Sequence, residues 1–396
     1  MWLSKMLMVW LSFGLLTSWG SLYYAFPVLA DAIQQDLGYS AETVAGAFSL
    51  ALLIWGIASY PVGVVLDRWG GRNVMRSGAL LAAAAFFGLS KAETVWAFYA
   101  MWVVLGIAMA MTLYEAASAV VVQSFPDGHR RRIGWLTVVG GLASTAFWPL
   151  SYFLCKSFGW RDTVLMFACL QLVLASTTLG MSFPRQPEHT AIMQRAHGSV
   201  PQTVNPGITH RKALLLLSVC FMIYGFITAA VVVIVINALQ ARGFQAVAAV
   251  NLAACIGPAQ ALGRAMDLLF SRRMDVRWLG ILAMSLMSLS FVALWMARWM
   301  PGLCVFFVVA YGLGLGLLTI VRATVPLALS GTARYASNSA ILGSPALMAR
   351  ALGPLSMVWL LEQFSRDDFV VWLLLLASCL GCWIFLRAWP NKLEAA

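Results

Sequence analysis

Gly63-Val64-Val65-Leu66-Asp67-Arg68-Trp69-Gly70-Gly71-Arg72 joins two long apolar runs, and its skeleton returns 200 residues later. Gly263, Asp267 and Arg272 repeat the spacing of Gly63, Asp67 and Arg72, again at the end of an apolar run. A glycine four residues before an aspartate, with an arginine five after it, says little once. Found at matching places in two halves of an apolar chain, it points to duplication. Other residues continue the match. Thr112 and Glu115 correspond to Thr319 and Arg322 at an offset of 207, and Pro149 to Pro354 at 205. Small loop insertions account for the drift.

Composition says what kind of chain was duplicated. Of its 396 residues 61% are hydrophobic and 10% charged, with a mean hydropathy of +0.83. A globular domain carries about 25% charged residues, so a soluble protein is excluded. A helix needs roughly 20 apolar residues to cross a bilayer. Twelve stretches qualify: 6–30, 43–66, 74–92, 94–123, 133–155, 162–183, 213–238, 246–267, 278–297, 302–329, 338–361 and 369–389. The first follows Lys5 as a signal peptide would, but its apolar run is longer than a signal core of about 7–15 residues.

The fold expected is therefore all-α and membrane-embedded, with twelve spans in two pseudo-symmetric six-helix bundles. Residues 1–183 form the first bundle and 213–396 the second. The stretch 184–212, with Pro184, Pro187, Pro201, Pro206, Gly198 and Gly207 among polar residues, is a cytoplasmic linker. A short surface helix fits around 188–196.

Net charge is +11, and its distribution explains it. With the N-terminus inside, seventeen of the 26 lysines and arginines fall on the cytoplasmic side and six outside, with Arg264, Arg322 and Arg350 within spans. The positive-inside rule then puts both termini in the cytoplasm, and the excess charge calls for no nucleic-acid partner. Seven cysteines lie in or beside spans. Cys379 and Cys382 have a redox spacing but no βαβ context. No His/Cys pattern suggests a metal, and no GxxxxGK[ST] loop, nucleophile–base pair or cofactor motif supports ATP-driven transport or an enzyme.

The Gly63, Asp67-Arg68, Gly70 and Arg72 loop between a second and third span resembles the signature of the major facilitator superfamily. The twelve-span plan, inside termini and central linker extend the likeness over the whole chain, with Trp69 and Gly71 as mild departures. The resemblance implies a secondary carrier working by alternating access in the plasma (inner) membrane. It also implies that Asp67 and Arg72, with Asp267 and Arg272, latch the cytoplasmic ends of the halves. The plainer alternative is a charged turn that only sets topology.

Charges inside spans mark the pathway. Each costs roughly 2.5–3.5 kcal/mol on insertion scales, so Glu115, Arg264, Arg322 and Arg350 must face the interior, pair, or line water. Arg350 lies near midspan with no acid between Arg334 and Glu362. A guanidinium fork suits a carboxylate or phosphate; the alternative is an ion pair with Glu115. Arg264 follows Gln260 by one turn and could pair with Asp267. Cations on the eighth and eleventh spans resemble the oxalate–formate antiporter and monocarboxylate-porter branches; in the first of these, basic residues on the two spans engage a dicarboxylate, which by span implies Arg264 and Arg350 here. Glu115 and Arg322 occupy corresponding places in the halves, and Glu115 is the natural carrier of a coupling proton, or else half of a static pair. Tyr224, Tyr311, Trp148 and Asn251 complete the candidate lining, with Trp55 and Tyr114 behind them. Gly312, Gly314 and Gly316 read as a packing face.

The resulting expectation is transport of a small organic anion, coupled to protons or to a counter-substrate, by a monomer in the lipid bilayer without cofactor or metal. An exporter of amphipathic compounds and a non-transporting sensor with the carrier fold are the alternatives.

Overall fold

The structure, a computed structural model, describes residues 2–124, 129–177, 208–270, 275–330, 335–364 and 367–389. Among these residues all regular structure is helical. The first span comprises Trp2–Trp19, a π-turn Gly20–Tyr24, and Phe26–Leu37. The second is Ala41–Trp69, the third Gly71–Ser90, and the fourth Val95–Thr112 with Tyr114–Ser124. The fifth begins as His129–Gly141, and Ala143–Thr177 carries its remainder and the sixth. The seventh is Ile208–Gln240, which begins inside the stretch expected to be linker. The eighth is Ala246–Ala254 with Ile256–Phe270, and the ninth Val276–Met296. Leu303–Ser330, Tyr335–Phe364 and Asp367–Ala388 are the tenth to twelfth. Residues 188–196 lie outside the described part.

Ten helical stretches among the described residues are long and apolar enough to cross a membrane, against twelve expected. One of them, Arg132–Thr177, has 46 residues and at 1.5 Å per residue would run about 69 Å, more than twice the ~30 Å hydrocarbon thickness. It holds two spans. Gly159, with φ 82° and ψ 167°, breaks the helix, and only glycine adopts that backbone without strain. Phe147 lies against Gly20, while Gln171 donates to the Ser21 hydroxyl at 3.0 Å. Residues on either side of Gly159 thus reach the same depth of the first span, which requires the chain to reverse between them. The Tyr335–Phe364 helix, carrying Arg350, Pro345 and Pro354, lies outside the ten and is the eleventh span.

Local chemistry ends the helices where the sequence changes. Ser40 caps the second span by accepting from Thr43 N–H at 3.2 Å, and Thr94 caps the fourth from Ala97 N–H at 3.3 Å, as hydroxyl side chains do at N-termini. Gly70 alone separates the second span from the third, at φ 76° and ψ 149°, with its N–H donating to Leu66 O at 3.1 Å. At one end of the bundle, Arg161 donates to Asp36 at 2.9 Å and to Ser90 O at 2.7 Å, the latter at the C-terminus of the third span. Arg242, buried, donates to Leu294 O and Ala238 O, both at 2.7 Å. Guanidiniums at helix C-termini satisfy exposed carbonyls and the negative dipole end.

Two apolar cores result. One gathers Phe26, Phe48, Phe98 and Trp102 from the first six spans, with Phe26 and Phe48 stacked at 4.1 Å. The other gathers Phe291, Phe307, Tyr311 and Phe385 from the last six. Gly312 and Gly316 press on the eighth span and Gly314 on the ninth, so the glycine run of the tenth span is a packing face. The seam between the cores pairs the second span with the eleventh and the fifth with the eighth. Leu355 N–H donates to the Ser49 hydroxyl at 3.0 Å, and Thr145 to Ala254 O at 2.9 Å. Gly257 is required here, because a Cβ would stand 2.1 Å from Thr145 Oγ1.

Candidate functional site: an aromatic and guanidinium cluster on the seam

Four spans change course where they meet at the seam. The first passes through the π-turn Gly20–Tyr24, the fourth breaks at Leu113 (φ −84°, ψ −161°), the fifth at Leu142 and the eighth at Cys255. A π-turn inserts a residue, rotates the side chains that follow, and recurs at functional sites. Interrupted helices near the midplane are also where carriers place their binding groups.

The side chains at these breaks converge. The Trp19 ring lies 5.2 Å from Tyr23, 5.2 Å from Tyr114, 5.6 Å from Trp55 and 6.1 Å from Tyr24. Tyr24 meets Trp148 edge-on at 5.6 Å. The second half answers this aromatic wall with cations. The Arg350 guanidinium stands 5.7 Å from the centroid of the Trp55 ring. Arg264, buried, donates from Nε to Thr319 Oγ1 at 3.1 Å and from Nη1 to the Tyr114 hydroxyl at 3.4 Å. Gln260 Oε1 and Arg264 Nη1 both lie against Gly141, 3.1 and 3.0 Å from where a Cβ would stand, a few tenths of an ångström inside ordinary contact. Tyr24 lies in the electrostatic field of both arginines, and Tyr311 in that of Arg350.

The hydrogen-bond inventory is lopsided. Trp19 Nε1, Trp55 Nε1, Trp148 Nε1, Arg350 Nε and the Tyr311 hydroxyl are buried and have no hydrogen-bond partner among the described residues. Indole and guanidinium N–H groups only donate. The wall is thus rich in donors and positive charge, and what complements it is an acceptor-rich, negatively charged group.

Arg350, Arg264, Gln260, Trp148 and Tyr311 therefore come together. Tyr224 does not join them: its hydroxyl donates to Ser378 O at 2.9 Å inside the second core. Asn251 lies on the exposed stripe of the eighth span with Leu262 and Met266, away from the seam. Arg322 donates to Gly343 O at 3.2 Å, tying the tenth span to the eleventh. The side chains of Asp67, Arg68, Glu115 and Asp267, and all of Arg272, lie outside the described part. The repeated glycines differ: a Cβ on Gly63 would meet open space, whereas one on Gly263 would stand 2.7 Å from Leu313 O. Sequence reasoning passed over Trp19, Tyr23 and Tyr24. Their signal was an aromatic cluster beside Gly20, Ser21 and Pro27 in the middle of an apolar run.

A cleft of about 270 Å³ opens on the seam between the first, second, seventh and eleventh spans, with Asp31, Gln34, Asn237 and Glu362 in its wall. Glu42, from the opposite half, lies close enough to Glu362 for their charges to interact.

Comparison with known proteins agrees with this architecture. Monocarboxylate transporter 11 of Homo sapiens is 30% identical over 166 residues, covering 41% of this chain and 33% of that protein. The oxalate:formate antiporter of Oxalobacter formigenes is 25% identical over 127 residues, covering 32% and 30%. The chain thus spans about a third of the length of the curated relatives it matches. A mutant form of the nucleoside transporter NupG superposes with a TM-score of 0.76 at 14% identity, covering 98% of this chain and 100% of that one. A D-xylose–proton symporter superposes at 0.74 and 15%, covering 96% and 97%. At such identities these two speak for the fold alone. The family profile described as Major Facilitator Superfamily matches residues 11–354, and the chain accordingly belongs to that superfamily, a family of multi-pass membrane transporters rather than enzymes.

Proposed function

We propose that the protein is a secondary active transporter that moves a small organic anion across the plasma membrane by alternating access between its two halves. The observation that carries this reading is the donor-rich cluster on the seam, where Arg350 stands over Trp55, Arg264 reaches Thr319 and Tyr114, and Trp19, Trp55, Trp148 and Arg350 hold buried N–H groups without a described acceptor. A buried donor without an acceptor costs roughly 1–3 kcal/mol, so a carboxylate that meets several of them gains from each. In this reading Arg350 holds the anion with its fork and Arg264 supplies a second positive charge. The tryptophans and tyrosines form the apolar wall and limit size. The names of the partial relatives, a monocarboxylate transporter and an oxalate:formate antiporter, support a carboxylate. Glu115 is the candidate for a coupling proton, and the acidic cleft at the seam gathers protons rather than anions, which favours proton coupling over plain exchange. Asp67, Arg72 and their counterparts would latch the cytoplasmic ends, with both termini inside.

A thermal-shift screen of the purified protein tests this. Small carboxylates should raise the melting temperature by mass action, and Arg350→Ala should abolish the rise. A rise with hydrophobic cations and none with carboxylates would replace this reading by an exporter of amphipathic compounds.

A further inference from the structure

On the side of the bundle away from the seam, the third and sixth spans leave a groove of about 400 Å³ lined by Arg76, Leu80, Leu172, Val173, Ala175 and Ser176. Its walls are open outward: Leu80 is 42%, Leu172 49% and Val173 52% exposed. In a protein of this family that outward direction is the lipid. The stripe continues apolar through Ala84 and Phe87 along the third span, as an acyl chain requires. At its other end the lining turns polar. Asn73, Ser77 and Ser176 are exposed there, and Trp69 stands out from the preceding turn, as tryptophan does at a membrane boundary.

Arg76 sits at that transition. It lies five residues beyond the start of the Gly71–Ser90 helix, about 7–8 Å along the axis, where a guanidinium at the edge of the hydrocarbon meets headgroups. It is the only cation among the described lining residues, and no described residue accepts from it or pairs with it. An arginine there still pays for leaving water unless an anion meets it. A phosphate diester offers two oxygens to its fork. Charge complementarity at one end and an exposed apolar trough at the other together describe one kind of molecule. A free phosphate would leave the trough unused, and an uncharged lipid would leave the guanidinium unmet.

We propose that the groove between the third and sixth spans binds one anionic phospholipid, its phosphate on Arg76 and an acyl chain along Leu80, Leu172 and Val173. The site shares no residue with the cluster on the seam and stands independently of the transported substrate. Its position on the arginine-rich side of the bundle is also that of basic pockets known to take acidic lipids.

The test uses the full-length protein, delipidated in detergent and titrated with phosphatidylglycerol or phosphatidylcholine under native mass spectrometry. The expected result is one retained phosphatidylglycerol with about a fivefold preference over phosphatidylcholine. Arg76→Gln should bring the preference close to one, and Arg76→Lys, with charge but no fork, should fall between. Arg277→Gln, a change of equal charge on the ninth span, should leave it intact. Equal binding of the two lipids by the unaltered protein, or a preference that survives Arg76→Gln, would overturn the proposal. So would its loss in Arg277→Gln, which would mark bulk charge, or equal stabilisation by inorganic phosphate, which would mark a site for a free anion.

Discussion

At the scale of single residues, the seam separates groups whose hydrogen bonds are met inside the fold from buried donors with no acceptor among the described residues. Tyr224 has its acceptor in Ser378, and Arg322 has one in Gly343. Arg350 Nε and three indole nitrogens have none among the described residues. The consequence for Arg350 is graded. Arg350→Lys should keep part of the anion-induced thermal shift but lose the bidentate geometry, and Arg350→Ala should lose nearly all of it; melting curves with and without carboxylate measure both. Trp19 gives a sharper test, because Trp19→Phe keeps an aromatic ring while deleting a buried donor. Removing an unmet donor relieves about 1–3 kcal/mol, offset in part by the smaller ring. The free protein should therefore melt at or near its original temperature while the carboxylate-induced shift shrinks. A variant that melts far lower, with its shift undiminished, would make Trp19 a packing residue.

At the scale of elements, the interruptions matter more than the helices. The π-turn of the first span brings Tyr23 and Tyr24 to the seam, and the break at Leu113 does the same for Tyr114. The ends of the helices are stapled by charge. Asp36 accepts from Trp160 Nε1 at 3.0 Å and from Arg161 Nε at 2.9 Å, and these hydrogen bonds hold its carboxyl below the usual aspartate range. A depressed carboxylate contributes stability above its unfolded-state value, near 3.9, and loses it as pH falls through the lower folded-state value. The two side chains are 34% and 46% exposed, so solvent screens the pair and the effect is small. Melting temperatures between pH 3 and 7 should fall at the acid end, and Asp36→Asn should be modestly less stable at neutral pH with a shallower acid slope. An identical acid slope in the variant would show that other carboxylates carry it.

At the scale of the molecule, two cores share a narrow seam. Among the described residues its hydrogen bonds include Leu355 to Ser49, Thr145 to Ala254 and Arg264 to Tyr114, set between apolar faces. Such a joint can rock, since apolar faces slide between packings more readily than polar networks do. Rocking needs a defined sidedness, and the arginine count predicts one: single cysteines placed in the 124–132 loop and the 184–212 connection of a cysteine-free variant should react with impermeant thiol reagents only from the cytoplasm. Labelling from outside intact cells would invert the orientation. Removing the seven native cysteines is feasible because all are free thiols.

The sequence by itself determined the membrane environment, the helical class and the places of the spans, because apolar length is a one-dimensional property that the bilayer reads directly. It also placed Arg264 and Arg350 inside spans, since the cost of a buried charge does not depend on the fold. Only the tertiary structure decided which of these residues meet. Asn251 and Gln260 lie on the same span and are equally polar in sequence, yet one faces outward and the other the seam. That choice depends on how the helix is rotated about its axis, which neighbouring helices set. Trp19, Tyr23 and Tyr24 were hidden for a related reason. A regular helix would spread them over its circumference, whereas the π-turn, stabilised by contacts such as Phe147 against Gly20, turns them to the seam. Tertiary packing chose the site from residues whose apolar run was already legible.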